Sequence, residues 1–302
     1  MAESKTLRLA GGAQGFNWLP VFAAEEQGLF DRAGLNVEYL RLGSVDKATT
    51  AVLNGEADLA ITPPEGAIAS FLSGGPLRIV ASNSERLPMS LVVRPGLSEL
   101  SDLKGGRIGT SSLTEGTSLY TRPLLASAGL TYPGDYEFVL AGVHTTRWEA
   151  LKRGEIDAAP QPAPWNFLAA REGFGLLGEI ADVIPQIIFA AVIGSGPWLA
   201  DNRDIVRRLV RALAQAHSFV NDPVNDTVTL PIYQRITTPD SPDLAARGLQ
   251  YTRDLGMWPA GLRVSSRALD TTIDIMVQAG LMQPEHRVAA RDAVEPWFTQ
   301  DA

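Results

Sequence analysis

The motif Gly-Glu-x-Asp-x-Ala occurs twice, as Gly55-Glu56-Ala57-Asp58-Leu59-Ala60 and as Gly154-Glu155-Ile156-Asp157-Ala158-Ala159, displaced by 154 − 55 = 99 residues. Each copy follows a helix-like stretch ending at Leu53 or Leu151, and each is followed by prolines and polar residues. The glycine can take the left-handed conformation that closes a helix, and the apolar run after it reads as a buried strand. A repeat at this distance is too long for a solenoid and fits a pair of α/β half-domains whose loops face one cleft.

The pattern around the motifs agrees. A strand at Thr6 to Ala10, a glycine-rich turn, a helix over Leu19 to Phe30, a strand at Val37 to Leu40, a helix from Asp46 and a strand at Asp58 to Ile61 alternate as a parallel sheet requires. Strands at Leu77 to Ala81 and Leu91 to Val93 follow. The order then restarts with a strand at Arg107 to Gly109, a helix over Gly116 to Ala128, a strand at Glu137 to Leu140, a helix over Thr146 to Leu151 and a strand at Ile156 to Ala159. Beyond Pro197 the chain reads as helical. The expected division is residues 1–88 for the first lobe, 89–190 for the second, and 191–302 for a return to the first lobe with C-terminal helices. The crossings are expected near Pro88 to Val93 and Ile187 to Ile193.

With 302 residues, 45% hydrophobic and 20% charged, the chain can build two cores. A net charge of −8 opposes a nucleic-acid surface, which needs concentrated Lys and Arg. The absence of cysteine removes disulfides, thiolate metal sites and cysteine nucleophiles. His144, His217 and His286 have no metal-ligand spacing, so no metal is expected. Gly11, Gly12 and Gly15 miss the spacing of a dinucleotide fingerprint, so no nucleotide or other cofactor is expected. No apolar run reaches the length of a membrane span. Met1 to Lys5 lead almost directly into a strand without the apolar region of a secretion signal. The expected location is periplasmic if a signal was removed, and cytoplasmic if Met1 is the native start.

Gly28-Leu29-Phe30-Asp31-Arg32-Ala33-Gly34-Leu35-Asn36-Val37-Glu38, Gly55-Glu56-Ala57-Asp58, and Asp102-Leu103-Lys104-Gly105-Gly106-Arg107-Ile108-Gly109 resemble, in order and spacing, solute-binding proteins of ABC importers. The group in question includes binders of alkanesulfonates, taurine and thiamine precursors, and the resemblance covers roughly residues 5 to 220. It implies the α/β type II periplasmic-binding-protein fold: two lobes, two crossover segments, C-terminal helices, and a small-molecule ligand handed to a transporter permease. Cytoplasmic enzymes are built on the same fold. One of them, a desulfinase, uses a Cys in the loop after the first strand, where this chain has Phe16, Asn17 and Trp18.

Candidate ligand residues fall in four loops. Asn17 and Trp18 follow the first strand, and Thr62, Pro63 and Glu65 follow the third. Ser111, Ser112, Thr114 and Thr117 surround the start of a helix in the second lobe, where hydroxyls and free N–H groups can hold a carboxylate, sulfonate or polar ring edge. Gln161 and Trp165 follow the second motif. Trp18 and Trp165 can sandwich a planar ring, while Glu65 and Glu115 suggest a ligand with donor groups and would repel a sulfonate. The rival expectation is an enzyme of lyase, decarboxylase or hydrolase type acting on an aromatic or heterocyclic acid, with His144, Glu65 and Glu115 as acid–base groups. His144 itself is expected in a solvent-exposed turn.

Overall fold

The computed structural model describes residues 5–299; Met1 to Ser4, on which part of the expectation about a leader rests, lie outside the described residues. The first half runs β1 (Lys5–Gly11), α1 (Leu19–Glu26), α2 (Leu29–Arg32), β2 (Leu35–Arg41), α3 (Val45–Leu53), β3 (Leu59–Thr62), α4 (Glu65–Leu72) and β4 (Leu77–Ser84). The second runs β5 (Met89–Val93), β6 (Arg107–Thr110), α5 (Thr117–Ser127), β7 (Glu137–Leu140), α6 (His144–Lys152), β8 (Ala158–Pro162), α7 (Trp165–Arg171), β9 (Gly175–Glu179) and α8 (Ile180–Val183). After β10 (Ala190–Ser195) come α9 (Gly196–Asp201), α10 (Arg203–Asn221), α11 (Asp226–Ile236), α12 (Pro242–Asp254), α13 (Ser266–Gln278) and α14 (Arg287–Ala290).

These strands form two five-stranded sheets of identical plan, β2-β1-β3-β10-β4 and β7-β6-β8-β5-β9. In each sheet three strands are parallel, and the fourth is an antiparallel strand that has just crossed from the other lobe. The chain passes between sheets from Ser84 to Met89 and returns between Glu179 and Ala190, so residues 190–193 already sit inside the first sheet.

The 99-residue displacement runs through the whole frame. α3 and α6 begin at Val45 and His144 and end at Leu53 and Lys152, and both differences are 99. Each helix closes in the same way. Gly55 (φ 73°) and Gly154 (φ 69°) are left-handed, and the next N–H, of Glu56 or Glu155, bonds back to the carbonyl of Ala51 or Ala150 at 2.8 and 3.0 Å. The motif aspartates then tie this turn to the first strand of the lobe. Asp58 accepts from the Arg8 backbone N–H (2.8 Å) and guanidinium (2.8 Å), while Arg8 also donates to the Gly55 carbonyl. Asp157 accepts from the Arg107 backbone N–H (2.8 Å) and its Nε (3.2 Å), while Arg107 donates to the Gly154 carbonyl. One carboxylate thereby satisfies a strand N–H and anchors a helix exit in both lobes.

The C-terminal helices touch both lobes. α10 packs on α1, and Arg208 donates to the Ala33 carbonyl at 2.8 Å. From α11 the Tyr233 hydroxyl donates to the Ala163 carbonyl, and from α12 the Tyr251 hydroxyl donates to Glu179. The crossings are braced by Glu85, whose carboxylate accepts from Gln186 Nε2 and the Ser265 N–H, both at 2.9 Å.

Candidate functional site

A cavity of about 70 Å³ lies between the lobes at the carboxyl ends of the parallel strands, the place where open α/β sheets bind ligands. The first lobe supplies mainly apolar surface: Phe16, Trp18, Val45, Ile61 and Pro63, with Asn17 and Thr62 beside them. The second supplies polar groups: Ser111, Thr117, His144 and Arg147, with Val143 and Pro162. Met89 and Phe189 close the wall where the chain crosses between lobes.

Several facing positions are equivalents in the repeat. Gly12 corresponds to Ser111, Val45 to His144 and Pro63 to Pro162, each separated by 99, and all six line the cavity. Ala48 corresponds to Arg147 by the same displacement.

Arg147 is the unusual group. Its residue is only 3% exposed. Nη1 donates to the Gly142 carbonyl at 2.9 Å and Nη2 to the Pro160 carbonyl at 3.0 Å. Its Nε has no partner, and no carboxylate pairs with it, among the described residues. Burial pushes the guanidinium down to about 9, so it keeps its charge at neutral pH. It also stands in the first turn of α6, where the helix dipole disfavours a cation. A buried charge is normally paired, and among the described residues this one meets only backbone carbonyls.

His144 sits above it as the first residue of α6, and it is buried rather than in the exposed turn expected from sequence. The helix starts two residues earlier than its sequence suggests because Val143, with no capping side chain, holds the N-cap position. Burial, then the charges of Arg147 and Arg41, push the imidazole down to about 3, so it is neutral. It packs edge-on to Phe16 and tilted against Trp165.

Glu65 and Glu115 do not line this cavity. They join the lobes beside it: the Tyr120 hydroxyl of the second lobe donates to Glu65 of the first (2.8 Å), and the Thr49 hydroxyl of the first donates to Glu115 of the second (3.1 Å). Gly66 leaves room for this contact, because a Cβ at that position would lie 2.4 Å from a Glu115 oxygen and force that side chain to shift. Burial raises Glu65 to about 7; burial and then the nearby Glu65 charge raise Glu115 to about 8. The repulsion expected against an anionic ligand therefore has no carboxylate in the cavity wall to produce it.

The remaining candidates divide. Asn17, Trp18, Thr62, Pro63, Ser111 and Thr117 line the cavity. Trp18 is otherwise buried, its ring lying so close to Gly11 that a Cβ there would meet it at 2.3 Å. Ser112 is occupied as a turn group, accepting from the N–H groups of Thr114 and Glu115, and neither Ser112 nor Thr114 lines the cavity. Gln161 is buried with both amide atoms unpartnered among the described residues, and it also lies outside the lining. Trp165 lines a different cavity on the far side of His144. Arg147, Phe16, Met89 and Phe189 also line the inter-lobe cavity and are not among the ligand residues expected from sequence. Arg147 was detectable as a charge inside the stripe His144, Arg147, Trp148 and Leu151, which has the spacing of a buried helix face. Among the described residues no three His, Cys, Asp or Glu side chains group to hold a metal, and no helix is long and apolar enough to cross a membrane.

Known proteins with this arrangement include a ligand-binding component of an ABC-type import system from Staphylococcus aureus. The two superpose with a TM-score of 0.81 at 16% identity, covering 99% of each chain. The alkanesulfonate-binding protein of Xanthomonas axonopodis, solved with MOPS, gives 0.77 at 17% identity over 97% of this chain and 99% of that one. These likenesses show the type II periplasmic-binding-protein fold. In sequence, a Brucella abortus protein described as a binding protein is 27% identical over 199 residues, 65% of this chain and 61% of that relative, so the match spans about three fifths of the relative's length. The family described as NMT1/THI5 like has a model that matches residues 15–225, more than half of the chain, and the chain belongs to that family.

Proposed function

We propose that this chain is the solute-binding component of an ABC importer, acting outside the membrane that holds its permease, and that its solute is a small organic anion. The observation that carries this reading is Arg147, a buried guanidinium without a carboxylate partner in the wall of an inter-lobe cavity. Ser111 and Thr117 add hydroxyls close to it, and Phe16, Val45, Ile61 and Pro63 present apolar surface to the rest of the solute. Closure of two lobes on two crossings supplies capture without any bond being made or broken. The fold shared with the import component from Staphylococcus aureus and the alkanesulfonate-binding protein supports the role. The expected ligand with donor groups gives way here to one with acceptor groups, because the carboxylates that suggested donors are engaged across the lobe junction by Tyr120 and Thr49.

The test is titration calorimetry with a panel of small sulfonates and carboxylates against neutral heterocycles of similar size. Binding by anions that is lost in Arg147→Met supports the reading. Binding by neutral heterocycles alone overturns it.

A further inference from the structure

The inner cavity is too small for most organic anions. Its volume of about 70 Å³ is less than half of the roughly 150 Å³ that accommodates a benzene ring in an apolar core. It suits a compact head group. A second cavity of about 430 Å³ lies on the other side of the His144 ring, which forms a wall of both.

The second cavity is lined by groups that donate. Gln14 and Arg41 come from the first lobe, Thr145 and Trp165 from the second, and Arg235 and Thr237 from the end of α11; no Asp or Glu among the described residues lines it. Gln14 Nε2 and Trp165 Nε1 are buried atoms with no acceptor among the described residues. Unmade hydrogen bonds of this kind are rare in native proteins and call for a reason. Gln14 is also held at φ 51°, a left-handed conformation that costs a non-glycine residue energy and is kept where the surroundings impose it. Arg235 is paired with Glu26 at 2.5 Å, whereas Arg41 has no carboxylate partner among the described residues. Two donors without acceptors and a guanidinium without a counter-ion thus converge on one side of His144, while Arg147 waits on the other.

Resting on the anionic reading of the inner cavity, we propose that the solute is a dianion: one acidic group is held by Arg147, and a second, across a short apolar spacer, by Gln14, Arg41 and Trp165. His144, neutral and packed between Phe16 and Trp165, flanks the spacer and can donate or accept as its tautomer allows. The overall charge of −8 works against a dianion at long range, so any preference for one must come from these local groups.

The test compares matched probes by calorimetry on the full chain: benzenesulfonate with 4-sulfobenzoate, and propanesulfonate with 3-sulfopropionate. We expect each dianion to bind at least about tenfold more tightly than its monoanion, because two charge-assisted contacts replace one. In the double variant Gln14→Gly and Arg41→Ala that ratio should fall to about twofold or less. Glycine accepts the left-handed backbone at position 14 and the Arg41 side chain is exposed, so the fold is preserved; if melting shows otherwise, Arg41→Ala alone decides. Equal affinity for monoanion and dianion in the unaltered protein overturns the inference, and continued loss of both in Arg147→Met would leave the inner-cavity reading standing. A ratio that survives the double variant also overturns it. Failure of all four probes to bind overturns both.

Discussion

One turn into α3 the first lobe carries Ala48; one turn into α6, at the equivalent place 99 residues later, the second carries Arg147. The backbones around them match in helix limits, closing turns and the Asp–Arg tie to the first strand. The same substitution of apolar by polar recurs at Val45 and His144 and, in smaller degree, at Gly12 and Ser111. The frame of each lobe is fixed by hydrogen bonds that the other lobe repeats, so the positions facing the cavity were free to diverge. One half supplies a wall for carbon and the other a charge. A cavity built this way is itself amphipathic, apolar on one side and charged on the other.

Making the lobes more alike at this position should have the largest effect. Arg147→Met removes the charge while keeping a long apolar side chain. Affinity for a bound organic anion should fall by about 3 kcal/mol, or over a hundredfold, as when one partner of a buried charge pair is lost. The ligand-free protein should be unchanged or more stable by about 1 kcal/mol, since an unpaired buried cation is itself costly. Calorimetry and chemical denaturation on the same variant check both. A loss of stability that parallels the loss of binding would make Arg147 a structural residue and break the contrast between the lobes.

Next in size is the junction of Glu65 and Glu115, which has no counterpart in the repeat: their equivalents are Pro164 and Phe16. The unfolded chain releases both protons near 4.5, while the folded chain keeps them until about pH 7 and 8. Between those limits the folded state binds more protons, so stability falls as pH rises and is lost through the folded values. His144 and His217, which burial holds neutral, act in the opposite sense as pH falls below 6.5. The clean window is therefore pH 6.5 to 8. Across it the unaltered protein should lose about 2 kcal/mol that Glu115→Gln does not lose, at about 1.4 kcal/mol per unit and group. Parallel curves for the two proteins would show that Glu115 is not held protonated.

The shared frame makes the third prediction symmetrical. Asp58→Ala and Asp157→Ala should each cost about 1–2 kcal/mol, because each strands a strand N–H and an arginine. Asp157 also receives Arg94 at 2.9 Å, but that arginine is exposed and adds little. Unfolding free energies differing by more than about 1 kcal/mol between the two variants would mean that the two lobes do not depend equally on this tie.

What could be read from the chain follows the same division. The Gly-Glu-x-Asp turns were visible because a helix exit needs glycine at one place and an apolar strand must follow. Their arginine partners lie 50 residues upstream, where no local pattern points to them. β9 was not anticipated because Gly-Leu-Leu-Gly-Glu has no alternation and is largely half-buried on a sheet edge. α4 and α7 were not among the expected elements: proline precedes each, and in α4 a glycine stands in the first turn. Cavity positions such as Thr62 and Ser111 could be anticipated from their place at the end of a strand or just after one. Arg147 was legible only as a charge on the stripe His144, Arg147, Trp148 and Leu151, because a charged residue on a helix is ordinarily solvated and nothing local shows that its guanidinium lies buried against the Gly142 and Pro160 carbonyls.

The smallest effect concerns the hydroxyls. Ser111→Gly gives the second lobe the residue that the first has at Gly12. The Ser111 hydroxyl has one weak internal contact, with Thr117 Oγ1 at 3.5 Å, so it is available to a solute. Its removal should weaken anion binding by about 1 kcal/mol and leave stability nearly unchanged. Thr117 differs, because its hydroxyl also meets Thr110 Oγ1 at 2.9 Å inside the lobe. Thr117→Ala should therefore lose about 1 kcal/mol of stability as well as of binding. Measured side by side, the two variants separate a hydroxyl that serves the solute from one that serves the lobe. If Ser111→Gly binds a confirmed anion with unchanged affinity, the polar contribution of the second lobe narrows to the α6 groups, Arg147 and His144.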